Sequence, residues 1–260
     1  VGGEITRLAE VVDFGPDAAM DDYNGYRLRW FDRWLKGIDN GITKEPPLRL
    51  FIMGTNEWRD EGEWPLARTA WQKWYLRSGG RANSLVGDGT LATDTPGDEP
   101  TDTFTYDPNF PVPTLGGNNC CSPHLVPWGP YDQRPVEMRA DVLVYTSAAL
   151  EQDLEVTGPI EVVLYAATDG PDTDWTAKLG DVFPTGYAMN LCDGIRRARY
   201  RERRDRATLL TPGKAYEYRI EVGVTGNVFQ RGHRIRLEIS SSNFPRFDRN
   251  PNTGADYGVD

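Results

Sequence analysis

The 260-residue chain carries 29 Lys and Arg against 39 Asp and Glu, a formal charge of −10, which opposes general binding to nucleic acid or to an anionic membrane surface. No apolar run approaches the roughly 18 residues that span a bilayer, and Val1 to Glu10 lacks the charged and apolar regions of a signal peptide. With 19 Pro, 27 Gly, 8 Trp and 12 Tyr, the composition favours short extended segments joined by tight turns, an all-β class, in a chain long enough to bury a large core.

The first predicted element is a helix between Asp17 and Lys36. Tyr23, Tyr26, Trp30, Phe31, Trp34 and Leu35 recur on one face, with Gly15-Pro16 before it and Gly37 after. After Pro46-Pro47 the period changes, and strands are predicted at Leu48–Met53, Trp71–Arg77, Asp141–Thr146 and Ile160–Ala166. Gly79 to Pro100, rich in Gly, Asp, Thr and Ser, reads as a surface excursion. Asp174–Phe183, the turn Pro184-Thr185-Gly186 and Tyr187–Cys192 predict a hairpin. Ala198–Arg201, Tyr216–Val222 and Arg234–Ser240 add further strands. Nine to eleven such strands with long connections suit a two-sheet jelly-roll β-sandwich.

Candidate chemistry is sparse. A hydrolytic triad needs Ser or Cys within hydrogen-bond reach of a His, yet the chain has no Gly-x-Ser-x-Gly elbow and only His124 and His233. His233 opens the strand that ends in Ser240, Ser241 and Ser242, and the eight extended residues to Ser241 span about 26 Å, so no pairing within that strand is expected. Cys120, Cys121, His124 and Cys192 suggest zinc only weakly, because adjacent cysteines rarely share one tetrahedral ion; no metal and no cofactor are expected. The three cysteines make no disulfide framework and leave the compartment open. The seven arginines between Arg196 and Arg206 are expected to form a solvated or ion-paired sheet face. Asp172 and Asp174 are expected to shape a turn through Asx-type bonds to backbone. Trp58, Trp64, Trp71 and Trp74 could stack on sugars, but the charged surroundings of Trp58 and Trp64 favour a domain contact.

Several segments together resemble the CocE/NonD hydrolases, the group that includes cocaine esterase, α-amino-acid ester hydrolases, glutaryl acylases and X-prolyl dipeptidyl peptidases. They are Phe31 to Gly37, Phe51 to Gly54 with Glu57-Trp58-Arg59, Asp132-Gln133-Arg134-Pro135, Asp172 to Leu179, Asp193 to Arg201, and Gly232 to Arg236 with Ser240 to Pro245. The resemblance covers nearly all of the chain. It implies a galactose-binding-like jelly roll at 47–260, preceded at 1–46 by the tail and last helix of an α/β-hydrolase domain, with the jelly roll lacking a final strand. It places the catalytic Ser, Asp and His upstream of Val1, so no catalytic residue is carried over to this chain. The implied partners are that hydrolase domain and a small-molecule ester or amide substrate, attacked through an acyl-enzyme. Trp30, Phe31, Trp34, Trp58 and Trp64 are expected at the domain interface, where an aromatic helix face also allows a homo-oligomer. Cys120 and Cys121 are expected in the wall of the substrate pocket. The alternative is a free-standing carbohydrate-binding jelly roll, which has little use for an aromatic N-terminal helix.

Overall fold

The computed structural model describes residues 8–9, 12–20, 22–119 and 126–255. They divide into two compact units. One takes the described part of residues 1–70 with Glu155–Gly158 and Gly226–Val228; the other takes Trp71–Leu154, Pro159–Thr225 and the described part of 229–260.

In the first unit the two-residue strands β1 (Leu8–Ala9) and β2 (Val12–Asp13) pair antiparallel. Helix α1 (Tyr23–Lys36) covers the whole aromatic periodicity but starts later than Asp17. Residues 16–18 form a separate 3-10 turn, and Ala19 is extended at φ −87°, ψ 141°. The helix starts where Asp22 Oδ1 accepts the Gly25 N–H at 2.9 Å. A Cβ at residue 25 would lie 2.0 Å from Asp22 Oδ2, so this cap depends on glycine. Gly37, left-handed at φ 71°, ends the helix. Strands β3 (Leu48–Ile52) and β4 (Glu57–Glu61) form an antiparallel pair, and Phe51 meets Phe14 and Trp58 edge-on at 6.4 and 5.4 Å.

The remaining elements are β5 (Tyr75–Arg77), β6 (Thr90–Ala92), helix α2 (Arg134–Glu137), β7 (Leu143–Thr146), β8 (Leu154–Ala166), β9 (Asp174–Val182), β10 (Ala188–Arg197), β11 (Tyr216–Phe229) and β12 (Arg234–Ser240). Six of them form a sheet in the order β10-β9-β12-β7-β6-β5, antiparallel except where β6 runs parallel to β7. β8 and β11 pair separately. The predominance of strands agrees with the all-β expectation.

Alternation along β9 and β12 gives the larger unit its apolar layer. Trp175, Ala177 and Leu179 share one face of β9, and Ile235, Leu237 and Ile239 share one face of β12; all are buried. The Trp175 ring meets Tyr218 of β11 at 5.8 Å and Phe104 at 6.2 Å. At Gly194 the β10 backbone approaches β11 so closely that a Cβ would lie 2.0 Å from the Glu221 carbonyl oxygen.

The predicted hairpin is present as β9 and β10, closed by the Phe183 N–H to Tyr187 O bond at 2.9 Å with Gly186 at φ 86°. Three expectations need correction. Residues Ala198–Tyr200 form a 3-10 helix rather than a strand, because the chain turns there to carry Arg199 into the interior. The 79–100 stretch is more than a surface excursion, since it contributes β6, joined to β7 by the Thr90–Thr146 pair. Within Trp71–Arg77 only Tyr75–Arg77 is strand. Helix α2 has no sequence periodicity to announce it, and Pro135 supplies a preset φ in its first turn.

Candidate functional site

All nine residues of β9 are buried, the charged ones included. Asp174, Thr176 and Lys178 alternate with the apolar residues and so occupy the opposite face of the sheet. Strand register sets Glu238 of β12 and Asp193 of β10 on either side of Lys178. Lys178 Nζ donates to Glu238 Oε2 at 3.2 Å and to Gln133 Oε1 at 2.7 Å. Two residues along β12, Arg236 Nη1 donates to Glu137 Oε2 of α2 at 2.7 Å, and its Nε donates to Thr146 Oγ1 at 2.9 Å. Asp193 accepts from Arg246 Nη1 and Asn243 Nδ2, both at 2.8 Å. Thr176 and Ser240 join their hydroxyls at 2.7 Å.

This layer sets Lys178, Arg236 and Arg246 against Glu137, Glu238 and Asp193. Pairing of this kind is the condition for burying charge at all. Burial, reinforced by the charge of Glu238, pushes the Glu137 carboxyl up to about 7 against the pull of Arg236. Burial also raises Glu238 against Lys178, and Asp193 against Arg246.

A second ionic group closes the end of β9. Arg199 donates to Asp172 from Nε at 2.7 Å and from its backbone N–H at 2.9 Å, and Arg197 holds Asp174 with two bonds at 2.8 and 2.9 Å. Asn250 Nδ2 bridges both carboxylates at 2.8 and 3.0 Å. The expected Asx turn at Asp172 and Asp174 is therefore replaced by long-range pairing. The arginine run is ion-paired as expected, at Arg197, Arg199, Arg203 and Arg204, but the sheet face ends at Arg197, because Arg199 leaves the strand and is buried.

His233 is buried just before β12, with Nδ1 2.8 Å from Asp181 Oδ1 and its ring 4.5 Å from that of Phe183. Ser240 Oγ is committed to Thr176 and to Ser242 O. These contacts anchor the sheet. Burial pushes the Cys192 thiol up to about 12, which suppresses the thiolate needed for nucleophilic chemistry. Cys120, Cys121 and His124 lie outside the described residues. Among the described residues no group of three or more His, Cys, Asp or Glu side chains is placed to hold a metal ion.

The aromatic residues divide. Trp30, Phe31 and Trp34 on α1 are 47%, 48% and 57% exposed, Trp30 and Trp34 touch at 5.6 Å, and no residue of the helix is buried. Trp58 packs on Phe51, and its indole N–H donates to Asp17 O at 2.7 Å. Trp64 and Trp71 are exposed. The polar layer, by contrast, has no counterpart among the expected site residues. In the sequence it shows only as Asp174, Thr176 and Lys178, or Arg236 and Glu238, alternating with apolar residues, a pattern that ordinarily marks a solvated face.

Residues 40–259 match the model of the X-Pro dipeptidyl-peptidase C-terminal non-catalytic domain. The chain belongs to this family, carried by the CocE/NonD hydrolases. Over 225 residues, 86% of this chain and 39% of its own length, cocaine esterase of Rhodococcus sp. (strain MB1 Bresler) is 49% identical. An aminopeptidase structure from the marine sediment archaeon Thaumarchaeota archaeon superposes with a TM-score of 0.73 at 30% identity, covering 96% of this chain and 41% of that protein. An α-amino acid ester hydrolase gives the same TM-score at 29% identity, with 96% and 42% covered. This chain thus spans about two fifths of the length of the relatives it matches.

Proposed function

We propose that the chain is the accessory C-terminal part of a CocE/NonD-type serine hydrolase that cleaves ester or amide bonds of small molecules through an acyl-enzyme. In this reading residues 47–260 are a galactose-binding-like jelly roll, and residues 1–46 are the tail and last helix of the α/β-hydrolase domain. That domain holds the catalytic Ser, Asp and His, while the present residues complete the substrate cleft and stabilise the enzyme. Cys120 and Cys121 contribute to the pocket wall. Trp30, Phe31, Trp34, Trp58 and Trp64 meet the hydrolase domain.

The observation that carries this reading is α1, a 14-residue helix with no buried residue and a contiguous face of Trp30, Phe31 and Trp34. Isolated helices of this length are marginal in water, and an aromatic patch of this kind is ordinarily covered by a partner. The carbohydrate-binding alternative leaves the helix without one. With the hydrolase domain absent, the chain is expected to self-associate in sedimentation velocity and to bind a hydrophobic dye. Substituting Trp30, Phe31 and Trp34 together by Gln is expected to yield a monomer with little dye binding. A wild-type chain that stays monomeric at all concentrations and binds no dye would count against the reading.

A further inference from the structure

Gln133 is 1% exposed, and each polar atom of its amide is engaged. Nε2 donates to Leu115 O at 2.8 Å and to Tyr131 O at 3.0 Å, while Oε1 accepts from Lys178. Leu115 and Tyr131 end the two described arms 115–119 and 126–131, so this amide clasps the arms into a neck and ties them to the sheet at Lys178. The neck is closed further by Gly117 and Gly129, which exchange backbone bonds at 2.6 and 2.9 Å. Asn190 Oδ1 also accepts the Tyr131 N–H at 2.6 Å.

Four residues beyond Gln133, and bonded to its carbonyl through the backbone N–H at 2.9 Å, lies Glu137. Its Oε2 accepts from Arg236, but its Oε1 is buried and meets no hydrogen-bond donor among the described residues. A buried carboxylate oxygen without a donor penalises the ionised form. The charges acting on Glu137 are Arg236, Lys178 and Glu238, with Arg134 at the start of α2 held by Asp132; Asp193 acts in turn on Glu238. Two carboxylates therefore draw on Arg236 and Lys178, and Lys178 also serves Gln133.

We propose that the Glu137 and Glu238 carboxylates form a proton-binding site that sets how firmly the arms 115–119 and 126–131 are clasped. While one proton is held on the pair, a single carboxylate charge is present and Lys178 is shared with the neutral amide of Gln133. When that O–H bond breaks and the proton passes to solvent, both carboxylates compete for the cations. A charged acceptor binds an ammonium more strongly than an amide oxygen does, so Lys178 shifts towards the carboxylates and the clasp loosens. Burial, which lifts Glu137 to about 7, sets this change near neutral pH. The inference concerns this chain alone and does not depend on a catalytic partner.

The test combines a carboxyl carbon NMR titration of the glutamates with hydrogen exchange of the neck amides in 116–119 and 126–131, corrected for intrinsic pH dependence. One glutamate is expected to titrate near pH 7. Protection of the neck should fall about tenfold with the same midpoint, the scale of one weakened charge-assisted bond. In Glu137→Gln the step should vanish and protection should stay at the low-pH level. Should that variant fail to fold, the two wild-type curves decide. Titration of every glutamate below about pH 5.5, neck protection without a step, or a step that persists in Glu137→Gln would overturn the proposal.

Discussion

Replacing Arg199 by Met is expected to destabilise the chain by about 3–5 kcal/mol in urea unfolding, one of the largest single effects available. Asp172 is completely buried and accepts two bonds from Arg199 and one from Asn250. Without the guanidinium its charge faces Asp174, whose own carboxyl is already raised by burial and is held by Arg197 and Asn250. The cost is that of an uncompensated buried charge, rather than the net worth of the pair. The double variant Arg199→Met with Asp172→Leu removes both charges and is therefore expected to recover most of the loss. A single variant within about 1 kcal/mol of wild type would contradict the dependence of buried Asp172 on Arg199.

Trp175→Ala is expected to cost a comparable amount, roughly 3–5 kcal/mol, for the opposite reason. Its ring lies between half-buried Phe104 and fully buried Tyr218, where β9 faces β11, and truncation leaves a cavity beside both. The near-ultraviolet dichroism should weaken as the aromatic cluster loses its centre. Trp175→Phe keeps a ring against both neighbours and is expected to lose less than half as much. Equal losses for Phe and Ala would show that the ring contacts do not hold the two strands together.

The variants probe the ionic group at the end of β9 and the apolar face of that strand, and the two faces of the strand were not equally legible in the sequence. Trp175, Ala177 and Leu179 alternate with polar residues, which suffices to place a strand and its apolar face. The same alternation ordinarily marks the other face as solvated, so Lys178 and Asp174 gave no hint of being buried. Their burial depends on Glu238, Asp193 and Arg197 arriving in register from strands far along the chain. The 3-10 turn at Ala198–Tyr200 was hidden for a similar reason, since the residue that draws Arg199 inward lies 27 positions earlier. Helix α2, four residues long, is too short for any periodicity. The exposed aromatic face of α1 was legible, because its spacing is local. Of the segments that carry the family resemblance, Asp132 to Pro135, Asp172 to Leu179, Asp193 to Arg201, Gly232 to Arg236 and Ser240 to Pro245 meet in the buried polar layer and the ionic group beside it. Recognition of the family and burial of these charges therefore rest largely on the same residues.

Incubating the purified chain with a p-nitrophenyl ester and with a dipeptide amide tests most directly whether the chemistry resides outside these residues. His233 is occupied by Asp181, and Ser240 by Thr176 and Ser242, so release of product at the background rate is predicted, unchanged in His233→Ala and His124→Ala. Turnover that copurifies with the chain and disappears in either variant would contradict a non-catalytic role.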